Sequence, residues 1–128
     1  MTHITTVGRV MVPVADQDKA IAFYTGALGF SVAADVPFGE GDRWVEVAPP
    51  GGGANLALVP PRGDYQTGRN TGIALESSDV QAAHDDFRSR GIAIDEPGIM
   101  GGDGTVPPMF FFRDGDGNVL LLVQQPAT

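Results

Sequence analysis

The chain has 128 residues, 42% apolar and 19% charged, a balance that describes one folded domain, or two halves sharing one core. Its formal charge of −8, with 8 Lys and Arg in all, argues against nucleic acid, because phosphate binding needs clustered cations. There is no cysteine, so disulfides, thiol chemistry and Cys-ligated metals are excluded.

No apolar run approaches the ~18 residues of a membrane span. The first residues also lack the basic-then-apolar pattern of a signal peptide. The expectation is no membrane partner and a cytoplasmic location.

Thr5 to Val14 is rich in β-branched residues and reads as a strand. Asp16 is the N-cap of a helix over Gln17 to Leu28, whose apolar stripe is Ala20, Ile21, Phe23, Tyr24, Ala27 and Leu28. Gly29 stops it. Phe30 to Val36 is a second strand. Arg43 to Ala48 and Ala54 to Val59 form a hairpin across Pro49-Pro50-Gly51-Gly52-Gly53. Pro60 to Asn70 is a polar loop holding Tyr65.

The pattern then returns. Thr71 to Glu76 reads as a strand, Asp79 as a cap, Val80 to Arg90 as a helix closed by Gly91, and Ile92 to Ile94 as a short strand. After a glycine- and proline-rich loop, Met109 to Phe112 and Val119 to Val123 face each other across Asp114-Gly115-Asp116-Gly117-Asn118. A slide of 64 positions lays Gly53 on Gly117, Leu56 on Leu120, Leu58 on Leu122 and Val59 on Val123. Ala20 and Ala82 each stand nine residues before a closing glycine. The order is βαβββ twice, about residues 5–60 and 71–125, in one α+β domain.

These residues resemble a known family. Val12-Pro13-Val14-Ala15-Asp16, Phe23-Tyr24, Leu28-Gly29-Phe30, Gly72-Ile73-Ala74-Leu75, Asp79-Val80, Arg90-Gly91 and Phe112 to Asn118 carry the likeness. The family is the vicinal-oxygen-chelate superfamily, which includes glyoxalase I, extradiol dioxygenases, fosfomycin-resistance transferases and bleomycin-resistance binding proteins. The resemblance implies curved mixed sheets, each backed by its helix, whose concave faces form a cleft. In metal-dependent members, His, Gln or Glu on the first and last strand of each module bind the ion. Carried over one at a time, those positions fall on Arg9, Ala57, Gly72 and Leu121. A guanidinium, a glycine and two apolar side chains make no site for a divalent cation, so neither metal nor cofactor is expected.

Strand alternation then sorts the side chains. Arg9, Met11, Asn55 and Ala57 share the cleft parity, and the same reading sends Trp44, Glu46, Phe110 and Phe112 to the cleft and Met109 and Phe111 under a helix. Loops bearing Phe38, Tyr65 and Met100 would close over the ligand, with glycines at 39–41 and 98–104 giving them freedom. Arg9 and Glu46 either contact a ligand or pair with each other. The aromatics either line a binding surface or are covered by a dimer contact or by the other module. His3 and His84 read as surface histidines.

The expected function is metal-independent binding of a small aromatic or amphipathic compound, as in bleomycin-resistance proteins, by a homodimer. The alternative is a lyase or transferase using Glu46 as general base, its pKa raised by an apolar cleft.

Overall fold

A computed structural model of the chain describes residues 2–126, which form two compact units dividing between Thr67 and Gly68. The first unit contains β1 (Arg9–Pro13), α1 (Gln17–Gly26), β2 (Ser31–Phe38), β3 (Asp42–Ala48) and β4 (Asn55–Val59). The second contains β5 (Asn70–Ser77), α2 (Val80–Ser89), β6 (Met109–Arg113) and β7 (Val119–Gln124). Each unit is a mixed sheet with one helix, which makes the chain α+β.

In the first unit the strand order is β1-β4-β3-β2, with β1 parallel to β4 and the other pairs antiparallel. Asp16 caps α1 through Oδ1, which accepts from the Lys19 amide at 3.1 Å. The helix ends two residues early, at Gly26 rather than Leu28, and the Phe30 amide closes back on the Tyr24 carbonyl at 2.9 Å. Gly29, at φ +77°, makes that reversal. Tyr24 is thereby packed edge-on between Phe23 and Phe30. It joins Val12, Val14, Ala20, Val45, Val47, Leu56 and Leu58 in the core. Gln17 Nε2 also donates to the carbonyls of Arg43 and Leu58, tying the first turn of α1 to β3 and β4.

The second unit orders its strands β5-β7-β6, with β5 parallel to β7. The strand expected over Ile92 to Ile94 is reduced to a single bridge from Ile94 to Phe112. Backbone bonds from Asp95 to Phe111 and from Arg113 to Ala93 hold this segment against β6. Pro97, which has no amide hydrogen, then prevents the ladder from extending. Asp79 Oδ1 caps α2 at the Ala82 amide. Its other end closes with bonds from Gly91 to Arg88 and from Ile92 to Phe87 around Gly91, at φ +76°.

The β6–β7 turn is built by two side chains. Asp114 Oδ1 accepts from the amides of Asp116 and Asn118, and Asp114 Oδ2 accepts from Asn118 Nδ2. Asn118 Oδ1 in turn accepts from the amides of Gly68 and Arg69, fastening the start of β5 to this hairpin. These Asp and Asn residues are turn builders.

Phe110 and Phe112 correct the sequence reading. Both are 0% exposed, and Phe87 of α2 packs edge-on against them with ring centroids at 5.6 and 5.1 Å. The reason is register: Phe110 lies opposite Leu122 and Phe112 opposite Leu120. Directly opposed residues of an antiparallel pair share a face, and Leu120 and Leu122 belong under the helix. Met109 and Phe111 therefore take the open face, with Leu121 and Val123 opposite them. His84 is likewise less exposed than expected. Its ring sits edge-on to Phe110 at 5.4 Å, and its side chain is mostly covered.

Candidate functional site

The candidate site lies on the face of the first sheet that looks away from α1. Pairing places its members side by side: Arg9 opposite Asn55, Met11 opposite Ala57, Ala57 opposite Glu46, Ala34 opposite Glu46 and Val36 opposite Trp44. Alternation along β3 leaves Val45 and Val47 in the core and turns Trp44 and Glu46 to this face. Phe38 lies two residues beyond Val36, with its ring centroid 5.8 Å from that of Trp44.

Glu46 is the centre of the arrangement. Although a carboxylate, it is only 6% exposed. Three donors account for its burial: Trp44 Nε1 on Oε2 at 2.6 Å, Arg9 Nε on Oε2 at 2.8 Å, and Asn55 Nδ2 on Oε1 at 3.1 Å. The Trp44 indole bond holds the carboxyl below the ordinary carboxylate value, with Asn55 and Arg9 adding to the effect, while burial works against them. Arg9 and Glu46 thus pair with each other through the Arg9 Nε. The general-base alternative needs the Glu46 pKa raised toward neutrality, and these three donors act in the opposite direction.

Around this polar centre the surface is apolar. Met11, Val36 and Phe38 are more than half or half exposed, and Trp44 is half-buried between them and Glu46. Val36 was not among the residues picked out from sequence. Its parity with Phe38, two residues along one strand, was the available signal. Tyr65 lies in the loop after β4, where an isolated bridge joins it to Arg62, and its hydroxyl donates to the Met11 carbonyl. That bond holds the loop beside β1. Met100 belongs to the second unit, where it bridges to Met109 on the edge of β6. Arg9, Met11, Phe38, Trp44, Glu46, Asn55 and Tyr65 are thus gathered in the first unit. Phe110 and Phe112 are core residues of the second.

A cavity of about 360 Å3 opens in the second unit between His84 and Arg88 of α2 and the segment from Gly91 to Gly98. Asp95 in its wall is occupied by a two-bonded contact with Arg113, at 2.8 and 3.2 Å. No Trp, Tyr or Phe lines it, so it offers no surface for stacking.

The metal implied by the family resemblance does not fit. Of the four ligand positions, Arg9 is a donor already committed to Glu46, and Ala57, Gly72 and Leu121 carry no donor atom for a cation. Among the described residues, no group of three His, Cys, Asp or Glu side chains is placed to hold a metal ion.

Two mixed sheets, each backed by a helix, with an open sheet face carrying the polar centre, define a class of protein by architecture. The sequence profile of the Glyoxalase/Bleomycin resistance protein/Dioxygenase superfamily matches residues 6–122, and the chain belongs to that family. It is 36% identical to the uncharacterized protein YetH of Bacillus subtilis strain 168, over 93% of this chain and 98% of that one. Among solved structures it is similar to TnmS3, an antibiotic binding protein from Streptomyces sp. CB03234, at 36% identity and a TM-score of 0.82, covering 98% of this chain and all of that one. A superfamily member from Sphaerobacter thermophilus DSM 20745 superposes with a TM-score of 0.86 at 33% identity, covering 97% of this chain and 100% of that one.

Proposed function

We propose that this protein binds a small aromatic or amphipathic compound on the open face of its first sheet, without a metal ion and without chemical turnover. The observation that carries the reading is the buried Glu46 carboxylate, whose bond to the Trp44 indole fixes that ring beside exposed Met11, Val36 and Phe38. A sheet face with a fixed indole at its centre suits a flat ligand. A general base must be free to accept a proton from substrate, and Glu46 already accepts from three protein donors. The likeness to an antibiotic binding protein supports the same reading.

The working assembly in this proposal is a homodimer. Sedimentation at micromolar concentration should give twice the chain mass, and a monomer would remove this part of the reading.

Trp44 is the one tryptophan, so its emission reports on this site alone. A panel of planar aromatic antibiotics and metabolites should contain compounds that quench it saturably. Trp44→Ala should weaken binding of those compounds by about 1–3 kcal/mol, measured by calorimetry. A panel that leaves the emission unchanged throughout would defeat the proposal.

A further inference from the structure

The hydrogen-bonding groups left over around Glu46 specify which aromatic compounds fit, an inference that rests on the binding reading above. The carboxylate offers a ligand little, because it is buried and both of its oxygens already accept from protein donors. The indole N–H of Trp44 is likewise used, so the ring offers its π-face and edge alone. Arg9 is different. Its Nε is spent on Glu46, yet the side chain is 53% exposed and neither Nη group has a partner among the described residues. The ion pair with Glu46 anchors the guanidinium at Nε, on the same strand face as Met11 two residues along β1. Asn55 contributes one spare N–H and one carbonyl oxygen. The polar part of this face is therefore rich in donors and poor in acceptors, while its apolar part is aromatic and aliphatic.

We propose that the ligand is a planar aromatic compound bearing an oxygen acceptor, a ring carboxylate or ketone, which takes its hydrogen bonds from the Nη groups of Arg9 while the ring lies against Trp44. An aromatic compound bearing an alkylammonium group would meet the same guanidinium with a like charge and is disfavoured.

The test uses four probes of one ring system: naphthoate, acetylnaphthalene, naphthalene and naphthylmethylamine. Kd is measured by calorimetry, and the Trp44 indole N–H resonance reports where each probe sits. The two oxygen-bearing probes should bind about tenfold more tightly than naphthalene or the amine, the scale of one charge-assisted hydrogen bond. In the double variant R9M/E46Q, which removes the guanidinium without stranding a buried carboxylate, that advantage should shrink to about twofold or less. If all four probes shift the indole resonance with similar Kd, the aromatic site stands and the acceptor inference fails. The inference also fails if the advantage survives in the double variant. If none of the four moves the resonance, the binding reading itself fails, and this inference with it.

Discussion

Trp44 Nε1 donates to Glu46 Oε2 at 2.6 Å across two positions of the same strand, so the indole is anchored by a residue of its own face. The same oxygen accepts from Arg9 Nε on β1, two strands away in the sheet order. One carboxylate therefore links β1, β3 and, through Asn55, β4. Removing it should be felt in both stability and spectroscopy. Glu46→Gln is expected to cost about 1–3 kcal/mol in denaturant unfolding, the usual range for stranding buried donors. It should also shift Trp44 emission, because the indole loses its charged acceptor. An unchanged spectrum would show that the indole bond is not formed in solution.

The pH dependence follows from the sign of the Glu46 shift. Its folded pKa lies below the ordinary 4.5, held there first by Trp44. The contribution to stability is therefore complete above the unfolded value and is lost as pH falls through the folded one. The stability difference between the natural chain and E46Q should be flat from about pH 8 to 5 and should narrow only in acid, below that range. A difference that instead widens as pH falls from neutrality toward about 5 would mean a raised pKa and would restore the general-base reading.

Phe112 separates a core role from a ligand role. Phe112→Ala should cost about 3–5 kcal/mol in unfolding, because its ring is fully buried against Phe87 and Phe110. A loss below about 1 kcal/mol would place the ring on an exposed surface instead.

Gly101 is a backbone test of the loop before β6. It has φ +75°, and a Cβ there would stand 2.4 Å from the Pro107 carbonyl oxygen. Gly101→Ala should destabilise by at least about 1 kcal/mol, since both the conformation and the contact are unfavourable to an L side chain. Gly104 also has positive φ but no neighbour within 4 Å, so Gly104→Ala should cost less. Equal Tm values for the two variants would refute the contact.

Metal addition gives a further check. Titration with zinc, nickel or manganese should show no stoichiometric uptake, because Arg9, Ala57, Gly72 and Leu121 offer a cation no ligand atom. Uptake of one ion per chain would mean that ligands come from residues outside those four.

The local order of the chain was legible because it rests on short-range chemistry. Asp16 and Asp79 cap helices through bonds three residues away, and Gly29 and Gly91 reverse the chain after them. The faces of β1, β3 and β4 could also be read from alternation, which brought Arg9, Trp44, Glu46 and Asn55 to one surface. What alternation lacked was an absolute reference for β6. Parity alone permits Phe110 and Phe112 on either side, and only their pairing with Leu122 and Leu120 fixes them under α2. The state of Glu46 was equally beyond the sequence. Burial raises a carboxyl pKa and donors lower it, and which effect wins depends on three side chains from three strands meeting within hydrogen-bond distance. Residue types and spacing determined the fold. Strand pairing decided which side chains meet, because only it brings residues distant in sequence into contact.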